Sequence, residues 1–146
     1  MLVNKDNMET SKEMLDRNTM IMKEDELVQM IIKRLAGIFR IIENTDQAYF
    51  FVDIDKLSDL EKVGIFLLIK YLSWKLGFSR GGSASIDWLT ESTGIKRNIV
   101  IARLKNLKDL TWVSKTDNRE YQIKLNSIIK IVEKLESKTS KGIKES

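Results

Sequence analysis

The most informative segment of the chain covers residues 83–125 and reads SASIDWLTESTGIKRNIVIARLKNLKDLTWVSKTDNREYQIKL. Asp87 can cap a helix, because its carboxylate can accept hydrogen bonds from the free N–H groups of the first turn. A short helix is therefore expected over 88–93. Gly94 is expected to end it, since glycine reaches the left-handed conformation that follows many helices without steric cost.

A second helix is expected from about Lys96 to Leu110, because Val100, Leu104 and Leu107 stand at i, i+4 and i+7 and form one apolar stripe. The segment TWVSKT follows, then a polar DNRE corner, then YQIKL. Two short alternating runs around an Asp-Asn pair are typical of a β-hairpin. The predicted order is therefore helix, glycine turn, helix and hairpin.

The pattern TGIKRNIVIARLKNLKDLTWV, residues 93–113, resembles the recognition-helix pattern of winged helix-turn-helix DNA-binding domains. In that pattern a Gly-Ile turn precedes a helix that ends in L-x-x-L. It is similar both to MarR/PadR-like regulators and to the DNA-binding domains of phage and plasmid replication initiators. The resemblance covers residues 58–125. It implies a mainly α fold with a small β-hairpin wing, an α+β class, with further helices at both ends.

The resemblance also implies double-stranded DNA as the partner, and helix geometry selects residues that can contact it. If Val100, Leu104 and Leu107 point inward, Asn98 and Lys105 point outward at 100° per residue. The predicted DNA-binding residues are Lys96, Arg97, Asn98, Ile101, Ala102, Arg103, Lys105, Lys108, Lys115 and Arg119.

Different roles are expected for these residues. Arg97 and Asn98 suit base edges, because guanidinium pairs with guanine and a carboxamide with adenine. Ile101 and Ala102 suit thymine methyl groups, and the other basic residues of the helix suit phosphates, whereas Lys115 and Arg119 of the wing suit the DNA backbone or the minor groove. Two alternatives stay open: the apolar residues on this helix also suit a protein contact, and Arg97 and Asn98 also suit a solvated helix start.

The distribution of charge favours a phosphate-facing surface. Residues 1–94 contain 12 Lys and Arg against 15 Asp and Glu, whereas residues 95–146 contain 13 against 6. The positive excess therefore begins where the second helix of the motif begins. A basic face that is merely solvated is the alternative.

Composition excludes several kinds of chemistry. The chain contains no cysteine, so disulfides and thiolate metal sites are excluded, and no histidine, the commonest general base. Its longest central apolar run, 65–69, is far too short to span a bilayer. Because the N-terminus also lacks the layout of a signal peptide, a cytoplasmic, DNA-associated protein is expected.

One acidic pattern deserves a chemical test. Residues 48–55 read AYFFVDID, an apolar strand followed by Asp53 and Asp55, and resemble the metal-binding strand of archaeal-type primases. Paired carboxylates can hold magnesium. This chain cannot supply the histidine of that family, and no glycine-rich phosphate loop accompanies the pair. The pair is expected to end a strand, and no catalytic activity, metal or cofactor is expected.

The remaining segments complete the predicted layout. Residues 1–23 are expected to form a flexible arm, and residues 24–57 a helix and a strand. Ser58 and Glu61 form a capping box that starts a helix, apolar on nearly all sides, to about Leu76. Asn126 or Ser127 is expected to cap a last helix over 126–138, followed by a disordered basic tail over 139–146.

A homodimer through the terminal helices is also expected. The N-terminal helix is predicted to carry the stripe Leu27, Ile31, Leu35, Ile38 and Ile42, and the C-terminal helix the stripe Ile128, Ile131, Val132 and Leu135. Each stripe can be a dimer seam or can cover the core of its own chain, because the sequence pattern is the same in both cases.

Overall fold

The computed structural model describes residues 21–145, with side chains through Thr139. Most of the predicted arm over 1–23 lies outside the described residues. The described elements, in chain order, are α1 (Glu24–Leu35), β1 (Phe39–Ile41), β2 (Ala48–Phe50), a 3-10 turn (Ile54–Lys56), α2 (Asp59–Lys75), α3 (Ile86–Thr93), α4 (Arg97–Asp109), β3 (Val113–Lys115), β4 (Tyr121–Ile123) and α5 (Leu125–Glu145).

The chain divides into two compact units, Met1–Met30 and Ile31–Ser146, and α1 begins in the first and ends in the second. The second unit contains all the other described elements. It is mostly helical with two small antiparallel hairpins, so the α+β class is as predicted. Within 21–145 no helix combines the length and the apolar character needed to cross a bilayer.

The central helix is α2, and its predicted capping box is confirmed. Ser58 Oγ accepts from the Glu61 amide at 3.2 Å, and the Glu61 carboxylate accepts from the Ser58 amide at 2.9 Å. Helices α3, α4 and α5 and strand β4 all pack on α2. Its buried residues are Val63, Gly64, Ile65, Phe66, Leu67, Leu68, Ile69, Tyr71, Leu72 and Ser73. A helix buried on nearly every side forms the core on which its neighbours are arranged.

The first helix is shorter than predicted. It ends at Leu35, whereas the expected stripe ran on to Ile42. Gly37 weakens helix propensity, and the β-branched and aromatic run that follows it favours a strand. Residues 39–41 accordingly form β1, which pairs with β2 in the register Phe39–Phe50.

The start of α3 also differs from the prediction. The helix begins at Ile86, and Ser85 rather than Asp87 is its cap, because the Ser85 hydroxyl accepts from the Trp88 amide at 3.0 Å. The residue before the cap, Ala84, is held by a pair of backbone hydrogen bonds to Tyr121 of 2.8 and 2.9 Å. This pairing fixes the chain in an extended path up to Ser85, so the helix starts two residues earlier.

The turn between α3 and α4 is as predicted. Gly94 adopts the left-handed conformation, with φ 74°, and its amide donates to the Thr90 carbonyl at 3.0 Å. The predicted inward stripe of α4, Val100, Leu104 and Leu107, is fully buried.

The predicted hairpin after α4 is confirmed as β3 and β4. Its corner runs from Thr116 to Glu120, where the Thr116 amide donates to the Glu120 carbonyl at 2.8 Å. Arg119 occupies the left-handed position of this corner, with φ 60°. The bridge between Ala84 and Tyr121 places a third extended segment beside β4.

The last helix carries the predicted stripe but has different ends. Helix α5 starts at Leu125, and the Ser127 hydroxyl does not cap it but donates to the carbonyls of Trp112 and Lys124 at 2.8 and 2.7 Å. Ser127 is therefore a buried link between the base of the hairpin and α5.

Helix α5 also continues past its predicted end at 138 to Glu145, so the expected disordered tail is helical over most of its length. Two features support the continuation. Residues 139–145 contain no proline and include Lys141, Lys144 and Glu145, which are good helix formers, although Gly142 is a poor one. Thr139 is buried, and its hydroxyl donates to the Leu135 carbonyl at 2.7 Å.

Candidate nucleic-acid interface

Helix α4 presents most of the predicted DNA-binding residues on its outer side. Its inner stripe packs against α2 and α3, so the opposite side faces solvent. Lys96, Arg97, Asn98, Lys105 and Lys108 are exposed, Ile101 is 45% exposed, and Ala102 and Arg103 are half-buried. Lys115 and Arg119 are exposed on the β3–β4 hairpin. The structure thus brings eight of these residues together on α4 and its N-cap, and the other two on the hairpin that follows it.

Three lysines of α4 and its N-cap have no partner of opposite charge. Among the described side chains, residues 21–139, no carboxylate lies within ion-pair distance of Lys96, Lys105 or Lys108. Their ammonium groups are therefore solvated and available. Unpaired, exposed cations along one side of a helix are suited to the phosphates of a nucleic acid.

Arg97 is the exception among the exposed cations. Its guanidinium forms an ion pair with Asp87, which lies in the first turn of α3. Both side chains are largely exposed, so the pair adds little to the stability of the fold. Its effect is on availability, because Arg97 must leave Asp87 before it can contact a base edge. The sequence pattern predicts a helix cap at Asp87 and contains no signal for this ion pair.

Arg103 lies in a different environment. Its residue is half-buried, and its Nε is buried without a hydrogen-bond acceptor in the described part of the chain. An unsatisfied buried donor costs about 1–3 kcal/mol, and more when it belongs to a charged group. Because this Nε is buried, a phosphate could accept only from the terminal NH2 groups of the Arg103 guanidinium.

The N-terminus of α4 has no side-chain cap. Lys96 occupies the N-cap position in an extended conformation, and its side chain makes no capping hydrogen bond. The Ile99 amide donates to the Lys96 carbonyl at 3.0 Å, which leaves the Arg97 and Asn98 amides without a side-chain acceptor in the described residues, in contrast to α3, where Ser85 supplies one. Free amides at the positive end of a helix dipole favour an anion.

The hairpin adds two cations and also an acid. Lys115 lies 5.9 Å from the centre of the Tyr121 ring, so its position is restrained by that aromatic side chain. Arg119 stands at the corner in the left-handed conformation. Asp117 is exposed at the same corner and Asp109 at the end of α4. These two carboxylates reduce the positive potential near the hairpin corner and the end of α4.

The carboxylates considered for metal binding have structural roles. Asp53 Oδ1 accepts from the Asp55 amide at 3.0 Å and caps the 3-10 turn. Asp55 lies 3.6 Å from the Lys62 ammonium. Within the described residues no three His, Cys, Asp or Glu side chains are grouped so that they could hold a metal ion.

The apolar stripes expected to form a dimer seam are used inside the chain. Ile31, Leu35 and Ile38 are buried, and so are all four residues of the α5 stripe, Ile128, Ile131, Val132 and Leu135. Arg34 of α1 further joins Glu136 of α5 through two hydrogen bonds, the longer of them 3.2 Å. A dimer through these stripes would have to expose the core that they cover.

The chain matches no protein-family model, no curated protein and no solved structure.

Proposed function

We propose that the chain is a winged-helix protein that binds double-stranded DNA, with α4 as the helix that enters the major groove and the β3–β4 hairpin as the wing. The observation that carries the proposal is the two-sided character of α4. Its inner stripe is fully buried, and its outer side and N-cap bear Lys96, Lys105 and Lys108, which have no acidic partner among the side chains of residues 21–139. A helix held firmly by its core while exposing unpaired cations is suited to phosphate binding.

The element order supports the winged-helix assignment. Helix α3, a left-handed glycine turn, α4 and an antiparallel hairpin follow one another without insertions. The extended segment at Ala84, between α2 and α3, pairs with β4 at Tyr121 and links the hairpin to the start of α3. The glycine turn and the pairing of Ala84 with Tyr121 together restrain α4 relative to the hairpin. Both elements can therefore contact the same DNA molecule.

The contacts divide by chemistry. Lys105, Lys108 and Arg103 would bind phosphates, and the free amides at the start of α4 would add one further phosphate contact. Asn98 would read adenine, and Arg97 would read guanine after leaving Asp87. Ile101 and Ala102 would contact thymine methyl groups.

Transcriptional regulation in the cytoplasm is the role that we propose for this DNA-binding activity. It needs only site-dependent binding to duplex DNA. Initiation of replication or segregation of a plasmid or virus is the alternative, because it uses the same contact surface. The two roles differ in where the preferred sites lie, either at promoters or at an origin, so selection of bound fragments from genomic DNA distinguishes them.

A charge-reversal experiment tests the assignment of α4. We expect Lys105→Glu/Lys108→Glu to weaken binding to a random 20-base-pair duplex by about 100-fold or more near 100 mM salt, since two phosphate contacts become repulsive. The matched control is Lys33→Glu/Lys56→Glu, which makes the same change in net charge at exposed sites in the acidic half of the chain. Equal losses in the two variants would show a nonspecific effect of net charge and would contradict the assignment.

A second candidate function is docking of α4 on a protein. The observation that favours it is the exposed aliphatic surface at Ile101, together with Leu110 at the end of the helix. Ile101→Lys separates the two. If α4 faces DNA, wild type binds a random duplex at low salt and Ile101→Lys loses the preference for thymine while it keeps that binding, whereas a protein-docking helix gives no wild-type duplex binding and loses its protein partner in Ile101→Lys.

A further inference from the structure

The β1–β2 hairpin has one apolar face inside the protein and another in solvent. Because side chains alternate along a strand, the register places one set of residues on the outer face. These are Arg40, Ile42, Tyr49 and Phe51, which are all exposed. We call them the outer hairpin face.

The hairpin itself is firmly attached through its inner face. The Phe39 and Phe50 rings pack with centroids 5.4 Å apart, and Phe50 packs on Phe66 of α2 at 5.8 Å. These aromatic contacts fix the hairpin on the central helix. The outer hairpin face is therefore a rigid surface.

Its composition is that of a protein interface. Tyr49 is 62% exposed, Phe51 54% and Ile42 46%, and the two rings pack edge to face with centroids 5.2 Å apart. The Arg40 guanidinium lies 5.7 Å from the centre of the Phe51 ring. Adjacent aromatic and arginine side chains in a rigid apolar setting are the groups that dominate binding energy at protein interfaces.

The charges around this face indicate which partner it fits. Arg40 donates to the Ala36 carbonyl at 3.2 Å, and among the described side chains it has no carboxylate partner. Glu43 follows Ile42 at the turn end, and Asp53 lies just past Phe51 at the other end, both exposed and without a cation in ion-pair distance. Among the described side chains the face thus has one cation without a carboxylate partner and two carboxylates without a cation, of which Asp53 also caps the 3-10 turn.

We propose that the outer hairpin face is a dimer interface occupied by the same face of a second copy of this chain. In a two-fold interface each residue of one copy contacts a residue of the other, and the reverse contact also forms. Arg40 of each copy can then pair with a carboxylate of the other, so one patch satisfies both signs of charge. A partner of one charge sign would leave either Arg40 or both carboxylates unpaired.

The location also agrees with the rest of the fold. The apolar stripes of α1 and α5, which the sequence predicts as dimer interfaces, are buried in the core of the chain. Ile42, the last residue of the predicted α1 stripe, lies instead in the outer hairpin face. The proposal does not depend on DNA binding, because α4 contributes no residue to this face.

The first test measures mass by sedimentation equilibrium without DNA, from about 1 to 200 µM protein. Wild type should show a monomer–dimer equilibrium, and Tyr49→Ser/Phe51→Ser should raise its dissociation constant by about 100-fold or more. Leu125→Ser removes an apolar side chain that is 44% exposed elsewhere on the protein and should leave the dissociation constant unchanged. Circular dichroism of each variant checks that the fold is retained.

The second test exchanges charges. Arg40→Glu alone, and Glu43→Lys/Asp53→Lys alone, should each remain monomeric, because like charges meet across the two-fold axis. An equimolar mixture of the two variants should form dimers again, since every pair is then of opposite sign. Charge exchange of this kind has no such effect on a purely apolar contact.

Three results would overturn the proposal. One is a wild-type protein that stays monomeric at 200 µM. Another is a mixture of the charge variants that does not dimerise. The third is a monomeric protein whose binding to single-stranded oligonucleotide falls in Tyr49→Ser/Phe51→Ser, since aromatic side chains would then stack on bases.

Discussion

Asp87 and Arg97 connect the first turns of α3 and α4, and this ion pair occupies a side chain that the proposed function needs. We expect Asp87→Asn to strengthen duplex binding about 2- to 5-fold at low salt, because Arg97 no longer has to leave a carboxylate and one repulsive charge is gone. Fluorescence anisotropy with a labelled duplex measures the change.

Two controls separate these causes. Glu91→Gln removes one negative charge from an exposed position on the same helix and should have a smaller effect. In an Arg97→Ala background, Asp87→Asn should lose most of its benefit, because the pair is already broken. An unchanged benefit in that background would mean that Asp87 acts only through its charge.

At the scale of single residues, the sequence identified the buried positions of α4 better than the partners of its exposed ones. Val100, Leu104 and Leu107 follow from helical periodicity, which depends only on local geometry. The pair between Arg97 and Asp87 depends on how two helices cross, and no local pattern contains that information. The orphaned Nε of Arg103 likewise arises from packing between elements.

At the scale of the elements, α3 and α4 are both followed by a residue in the left-handed conformation, but the residue types differ. Gly94 follows α3 with φ 74°, and Thr111 follows α4 with φ 62°. The amide of Trp112 then donates to the Leu107 carbonyl at 3.0 Å, and that of Thr111 to Lys108 at 2.9 Å. This is a Schellman motif with a β-branched residue at the position that favours glycine.

We therefore expect Thr111→Gly to increase the free energy of unfolding by about 1 kcal/mol, because glycine removes the steric cost of the left-handed conformation. Urea denaturation followed by circular dichroism measures it. Gly94→Ala is the matched opposite and should decrease the free energy of unfolding by about 1 kcal/mol or more. A destabilised Thr111→Gly would show that its side chain makes a contact worth more than the strain.

The elements that sequence patterns predicted are those with strong local signals. The capping box of Ser58 and Glu61, the glycine turn at Gly94 and the β3–β4 hairpin all belong to this class. Strand β1 was not predicted, because its apolar residues continue the helical spacing of α1. Only pairing with β2 shows that the chain has left the helix, and pairing is not a local property.

At the scale of the whole molecule, two ion pairs link distant segments and make stability depend on pH. Burial by itself would raise the pKa of Asp46, but the Lys70 ammonium, which donates to it at 2.9 Å, outweighs burial and lowers it. For Glu61, burial is likewise outweighed by hydrogen bonds from Lys138, at 2.6 Å, and from Ser58, so its pKa is also lowered.

A carboxylate whose pKa is lower in the folded state stabilises the fold above its unfolded pKa, which is about 4, and this contribution is lost as pH falls through the folded value. The free energy of unfolding should therefore stay level from pH 7 to about 5 and fall below about 4. In Asp46→Asn/Glu61→Gln the free energy of unfolding should decrease less steeply as pH falls below about 4. Urea titrations at each pH measure it, and Glu91→Gln serves as the control. A decline equally steep in the double variant would contradict this assignment.

The most direct test of the central claim is binding of a random-sequence duplex across a salt series, by fluorescence anisotropy, for wild type and Arg97→Ala/Lys105→Ala. We predict that wild-type affinity falls steeply with salt, and that the variant binds more weakly with a slope shallower by about one, because the phosphate contact of Lys105 is lost. Absence of wild-type binding at about 20 mM salt, or identical slopes for the two proteins, would contradict a DNA-facing α4.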